Sequence, residues 1–148
     1  MNQQAHLNEL DNIQGIVCDG ASFAKNLKIE KCDYILAIGF LQYLTSDDEL
    51  NTFAECCRKM LSSGGSLILK HPLSCVGTFL LDYYREDMHT RYISKYYDLN
   101  DLMRPFLGDF ELISLERTFT ESNIGLSVLD KIEVDERARQ MWIHLVKR

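Results

Sequence analysis

The 148-residue chain carries 16 Lys and Arg against 22 Asp and Glu, a formal net charge of −6, and 46% of its residues are hydrophobic. This length and composition predict one soluble globular domain. Because nucleic-acid affinity comes largely from clustered basic charge, an RNA or DNA partner is disfavoured. The sequence has no signal peptide and no run of ~20 apolar residues, so we expect a cytoplasmic protein that does not associate with membranes.

The five cysteines are odd in number and have no CxxC spacing. This pattern favours free thiols in a reducing compartment and predicts no metal site. No Gly-x-Ser-x-Gly elbow or Cys/His signature points to covalent catalysis.

The first predicted strand, residues 13–18, ends at Asp19-Gly20-Ala21-Ser22. An acidic residue at the carboxyl end of a strand is well placed to accept a hydrogen bond from a ligand. Asp-Gly is also typical of a turn that caps a following helix, which is predicted here over residues 22–27. From residue type alone the turn is the simpler interpretation.

Residues 33–70 predict a strand, a helix and a second strand. Tyr34 to Ile38 is a nearly continuous apolar run, as in a strand covered on both faces of a parallel sheet, and residues 66–69 repeat this character. Parallel strands need a crossover connection between them, and a helix is the usual one.

The helix between these strands has the strongest helix signal in the chain. Ser46 and Glu49 fit a capping box, and the acidic residues at 47–49 complement the positive end of the helix dipole. Gly64 and Gly65 are predicted to end the helix and turn the chain back. One apolar stripe runs along the predicted helix: Leu50, Phe53, Ala54, Cys57 and Leu61.

Residues 32–44, the Asp-Asp-Glu-Leu helix start at 47–50, and residues 60–70 together resemble class I S-adenosylmethionine (SAM)-dependent methyltransferases. The matching elements are the fourth strand, helix D and the fifth strand of that family. Ser63 stands where the family's Leu-x-Pro-Gly-Gly pattern has proline, which is a structural position. The resemblance implies an α/β fold in one incomplete domain over residues 1–148. Its partial Rossmann-like sheet would contain strands 3 to 7 of the family order and end in an antiparallel C-terminal hairpin.

The resemblance also implies SAM as the cofactor. In the family the third strand ends in an Asp that contacts adenine, and Asp19 matches it. Ligands of open parallel sheets bind beyond the carboxyl ends of the strands, where Gly39 would permit close approach and Phe40 would offer apolar surface. The candidate cofactor-binding residues are Asp19, Gly20, Ala21, Ala37, Gly39, Phe40 and Leu41.

Residues 75–106 are predicted to form a helical, aromatic-rich region, and the corresponding family segment caps the substrate. Tyrosines and arginines supply stacking and bidentate carboxylate binding, as an amino-acid-like substrate would need. An amphipathic helix whose tyrosines half-bury on the sheet is the alternative. His71 and His89 are the candidate general bases. The candidate substrate-binding residues are Tyr83, Tyr84, Arg85, Arg91 and Tyr92.

Residues 110–117 alternate with strand period, and residues 141–147 do so loosely. They resemble the antiparallel sixth and seventh strands that close the family's sheet. The connection between them is longer than a hairpin needs and contains an apolar segment, residues 124–129, which is expected to dock on other structure.

Two elements of the family's cofactor site have no match in this sequence: the Asp/Glu-x-Gly-x-Gly-x-Gly loop and the acidic residue that ends the second strand. In the family's sheet order, 3-2-1-4-5-7-6, the first two strands separate the strands matched here by residues 13–18 and 34–38. Without them both strands would have open apolar edges, which are templates for pairing.

The leading hypothesis is a split, heteromeric SAM-dependent transferase that acts on a small molecule. A second polypeptide would carry the first two strands and the glycine-rich loop, and this chain would be active only with that partner. Methyl transfer and SAM-dependent cyclisation both fit the scaffold. The alternatives are a non-catalytic methyltransferase-like partner that stabilises or regulates a catalytic homologue, and a truncated form of an ordinary methyltransferase. Strand exchange in a homodimer is a further alternative, but it would not supply the missing glycine-rich loop.

Overall fold

The computed structural model describes residues 20–23, 31–118 and 137–148. The predicted strand over 13–18 lies outside these residues, as do residues 24–27 of the predicted helix and the apolar segment 124–129. Neither described helix is long and apolar enough to cross a lipid bilayer. The described elements are β1 (Cys32–Ile38), α1 (Asp47–Met60), β2 (Leu61–Ser74), β3 (Phe79–Arg85), β4 (Thr90–Tyr96), α2 (Leu99–Met103), β5 (Phe110–Arg117) and β6 (Ala138–Lys147).

Four strands form one mixed sheet in the order β1-β2-β6-β5. β1 and β2 are parallel, with Ile35 opposite Leu67, whereas β6 runs antiparallel to β2 and to β5. The predicted α/β class, the partial Rossmann-like sheet and its antiparallel C-terminal strand pair are therefore confirmed.

Helix α1 starts where the sequence predicts. The backbone N–H of Glu49 donates to Ser46 Oγ over 3.2 Å, and the N–H of Ser46 donates to Glu49 Oε2 over 3.0 Å, so the capping box is complete. Two backbone donors that the helix itself leaves without partners are satisfied in this way. The predicted stripe is buried against the sheet, with Leu50, Phe53, Ala54 and Cys57 in the core.

The end of α1 differs from the prediction. The helix ends at Met60, Leu61 already belongs to β2, and Gly64 and Gly65 lie within that strand. The ammonium group of Lys147 donates to the carbonyl oxygens of Arg58, over 2.6 Å, and Leu61, over 2.8 Å. A lysine from β6 therefore satisfies carbonyls at the negative end of the helix dipole, where a cation is favourable.

The core lies on one face of the sheet, between the strands and α1. Ala37 of β1 and Leu69 of β2 point into it. The alternate residues of β1 point to the other face, where Tyr34, Leu36 and Ile38 are 73%, 60% and 51% exposed. The expectation that β1 is covered on both faces is therefore wrong.

β3 and β4 form a separate antiparallel hairpin, so the prediction of a helical region over 75–106 is wrong for residues 79–96. The helical parts of this region are α2 and the short 3-10 turns Glu86–Met88 and Arg104–Phe106. Aromatic and β-branched side chains fit a pleated strand surface, and Tyr83 lies opposite Tyr92 as a cross-strand pair. The chain reverses through Glu86–Met88 and His89, which has a left-handed φ of 49°.

Removing the capping hydroxyl should destabilise the domain measurably. We expect Ser46→Ala to lower the free energy of unfolding by about 1 kcal/mol, because the N–H of Glu49 loses its acceptor. Urea denaturation followed by circular dichroism measures this. Ser63→Ala is the matched control at an exposed serine and should stay within about 0.5 kcal/mol of the parent. Equal stability of the two variants would contradict a working cap.

Candidate functional site

Open parallel sheets bind their ligands beyond the carboxyl ends of the strands. In this chain that region, called the crevice below, lies beyond the ends of β1 and β2, and Gly39 borders it. The N–H of Gly39 donates to the carbonyl oxygen of Lys70 over 3.0 Å, which continues the strand pairing one residue past Ile38. Gly39 has a left-handed φ of +61°, and a Cβ at this position would meet nothing within 4 Å. A ligand can therefore approach this backbone directly, and glycine adopts its conformation without strain.

Aromatic rings form the side of the crevice next to Gly39. The Phe40 ring packs on Phe53 with centroids 5.5 Å apart, and Phe53 lies 5.9 Å from Phe23. Gly20 touches the Phe40 ring so closely that a Cβ at position 20 would clash with it. Residues 20–23 are thus held against the end of β1.

The structure brings together most of the predicted cofactor-binding set. Gly39 is exposed and Phe40 and Gly20 are half-buried, so these three are accessible to a ligand. The other described members are buried and form the support beneath them: Ala21, Ala37 and Leu41. Asp19 lies outside the described residues, and its adenine contact stays a prediction.

The β3–β4 hairpin lies beside the turn that follows β1. Tyr43 in that turn meets Tyr92 edge-on with ring centroids 6.2 Å apart, and Tyr92 lies 5.3 Å from Tyr83. The ammonium group of Lys95 pairs with the carboxylate of Asp47 at 2.8 Å, which ties the hairpin to the start of α1. Tyr83 and Tyr92 therefore lie next to the turn that follows β1.

The candidate substrate-binding residues predicted from the sequence do not include Tyr43. Its position in the loop directly after β1, two residues past Leu41, is the sequence signal that points to it. Tyr84 is opposite Arg91 on the other surface of the hairpin and is exposed, so the structure does not bring it to the tyrosine cluster.

Both candidate arginines are already engaged by carboxylates of their own hairpin. Arg85 pairs with Asp87 through two hydrogen bonds of 3.1 and 2.6 Å, and Arg91 pairs with Asp82 in the same two-pronged way. Hydrogen bonds from the guanidinium groups hold the pKa of Asp87 and of Asp82 below the usual range. A substrate carboxylate would have to displace these partners, which disfavours the predicted carboxylate clamp.

The two candidate bases lie in different environments. His71 is fully buried in β2 with its ring 6.0 Å from that of Tyr97, and neither ring nitrogen has a hydrogen-bond partner among the described residues. Burial lowers the pKa of His71 to about 3, so the ring is neutral near pH 7. His89 is exposed in the turn between β3 and β4. A general base must reach the proton that it removes, and His71 in this position reaches no ligand in the crevice.

No protein-family model matches the chain, and no curated protein sequence matches it significantly. Solved structures do match. A SAM-dependent methyltransferase from Methanosarcina mazei aligns with a TM-score of 0.62 and 15% identity, over 84% of this chain and 64% of that one. The chain has part of the methyltransferase fold.

Other methyltransferase structures agree with this assignment. A SAM-dependent methyltransferase from Clostridium acetobutylicum aligns with a TM-score of 0.60 and 13% identity, over 97% of this chain and 68% of that one. The glycopeptide N-methyltransferase MtfA in complex with SAM aligns with a TM-score of 0.62 and 11% identity, over 98% of this chain and 71% of that one. The chain thus spans less than two thirds of the Methanosarcina protein and about 70% of the other two.

The buried His71 should make stability depend on pH. Its unfolded form binds a proton below the ordinary pKa of 6.5, whereas the native form does so only near pH 3. Between these values the unfolded state binds more protons, so stability falls as the pH falls, by up to about 1.4 kcal/mol per pH unit from this group.

We expect His71→Leu to reduce that slope between pH 6 and pH 4 and to leave stability at pH 7 equal or higher, because an unpaired buried polar group is removed. Urea denaturation at a series of pH values measures both effects. His89→Gln is the control at an exposed histidine and should keep the parent slope. An unchanged slope in His71→Leu would show that the ring is hydrated or paired.

Proposed function

We propose that this chain supplies the adenine side and the substrate side of a SAM-dependent transferase that acts on a small molecule. The observation that carries this proposal is the opening at Gly39, at the carboxyl end of β1 and beside the Phe40 ring. Ligands of open parallel sheets bind at this position in the fold. The similar protein MtfA has been solved with SAM and with S-adenosylhomocysteine, which supports SAM as the cofactor.

The described residues fit one part of such a cofactor. The backbone at Gly39 is open to close approach, and the half-buried Phe40 ring gives an apolar surface for a nucleoside. When bound, SAM supplies the electrophilic group that is transferred, so the protein's share is binding and orientation. The sequence has no glycine-rich loop for the methionine end, and we propose that a partner chain supplies it.

The tyrosine cluster of Tyr43, Tyr83 and Tyr92 is the proposed substrate side. Its rings lie 5.3 to 6.2 Å apart next to the loop that leaves β1. Burial and the neighbouring Tyr92 raise the pKa of Tyr43, so its hydroxyl stays protonated at neutral pH. These side chains can stack on a planar or apolar substrate, donate a hydrogen bond and exclude water, which contributes orientation rather than proton transfer.

A small-molecule substrate also agrees with the charge of the chain. The net charge of −6 disfavours a nucleic-acid substrate, because nucleic-acid affinity comes largely from basic charge. Because Arg85 and Arg91 are paired within the hairpin, we expect a substrate that is neutral or cationic where it meets the tyrosine cluster.

A non-catalytic subunit is the second candidate. The observation that favours it is the state of the predicted functional residues. Within the described parts of the chain His71 is buried without a hydrogen-bond partner, and both arginines are paired with carboxylates. Such a subunit would keep the fold and its interface, while a catalytic homologue would carry the reaction.

Binding of S-adenosylhomocysteine tests the cofactor half-site directly. We expect the 15N-labelled chain to bind it weakly, with a Kd on the order of 1 mM, and with NMR shifts centred on Gly39, Phe40 and Leu41. Gly39→Asn should abolish these shifts, because asparagine tolerates a left-handed φ but fills the opening. Gly64→Asn is the matched control, since Gly64 is also left-handed with nothing within 4 Å, and it should keep them.

Shifts that map elsewhere, or none up to the solubility limit of the ligand, would contradict a cofactor half-site here. Saturation at micromolar concentrations would contradict the proposal that the site is shared with a partner.

A further inference from the structure

β1 is exposed in two ways at once, along its edge and over one face. Among the described residues it pairs with β2 alone, so its other edge has no strand partner. Three large apolar side chains, Tyr34, Leu36 and Ile38, are more than half exposed on the face away from α1. A free apolar edge and an uncovered apolar face next to each other are unusual in a stable monomer.

The direction of the backbone groups shows which amides are free. The N–H of Gly39 points to β2, where it bonds to Lys70. Because the amides of a strand alternate in direction, those of residues 35 and 37 also point to β2. The amides of Tyr34, Leu36 and Ile38 therefore point to the open edge, and these are the residues whose side chains lie on the exposed face.

A second copy of this chain that pairs edge to edge along β1 would bond the free edge but would not cover the exposed face. Antiparallel pairing of two β1 strands about Ile35 would place Tyr34 of one copy beside Leu36 of the other on the same face. The edge would be bonded, but the exposed apolar surface would double in size. A lone helix laid over the face would leave the edge amides unbonded.

We infer that a second polypeptide docks here as a strand and a helix, the strand pairing with the edge of β1 and the helix covering Tyr34, Leu36 and Ile38. This inference rests on the proposed function, because the docked strand would end beside Gly39 and add a wall to the crevice. More than a third of the similar Methanosarcina methyltransferase has no counterpart in this chain, which leaves room for such a unit. The edge from Cys32 to Ile38 carries one charge, Asp33, so the pairing strand should be mainly apolar.

The tagged chain is affinity-purified from cells of its source organism. The polypeptides that bind to it are then identified by mass spectrometry. The captured polypeptide is then produced separately and its Kd for this chain is measured by titration calorimetry. We expect a one-to-one complex and at least tenfold weaker binding to Leu36→Lys. Leu36 is 60% exposed, so this variant should fold normally, as circular dichroism will verify.

Leu80→Lys is the matched control, because Leu80 is 52% exposed on the hairpin, away from β1. It should bind the partner as the parent does. The inference fails if no polypeptide binds, if the chain forms a homodimer instead, or if Leu36→Lys binds with unchanged affinity. A complex that is sensitive to Leu36→Lys but does not bind S-adenosylhomocysteine would keep the interface and contradict only the proposed function.

Discussion

The parallel pairing of β1 with β2 is the constraint on which the rest of the structure depends. Within the described chain, β1 has no other strand partner, and α1 is the crossover that makes a parallel arrangement possible. The capping box fixes where that helix starts, and the ammonium group of Lys147 secures where it ends. The position of Gly39 follows, because its N–H continues the pairing by bonding to Lys70 before the chain turns away.

The strand, helix and strand unit and the C-terminal strand pair could be predicted because their signals are local. A capping box, an apolar stripe and a two-residue alternation each depend on neighbours in sequence. The β3–β4 hairpin could not be predicted in the same way. Its aromatic residues are spaced so that they fit a helix as well as a strand, and its turn uses the left-handed His89 rather than a glycine or proline. The density of tyrosines was the signal for strands.

The same distinction between local signals and tertiary contacts applies to the candidate site. The position of Gly39 and Phe40 at the end of β1 could be predicted because both directly follow an apolar run. The engagement of Arg85 and Arg91 depends on which carboxylates the turn and the strand register place beside them, and the burial of His71 depends on the packing of Tyr97. Such tertiary contacts cannot be predicted from residue type or spacing. They nevertheless shape the proposed function, which rests on the tyrosine cluster and the open backbone at Gly39 rather than on His71 or the arginines.

Amide hydrogen exchange on the isolated chain, resolved by NMR for each residue of β1, tests most directly whether the edge of this strand is open. We expect the amides of Tyr34, Leu36 and Ile38 to exchange at least tenfold faster than those of Ile35 and Ala37, which bond to β2. Equal and strong protection of all five amides in the isolated chain would show that another part of the chain already covers this edge, and would contradict an open edge.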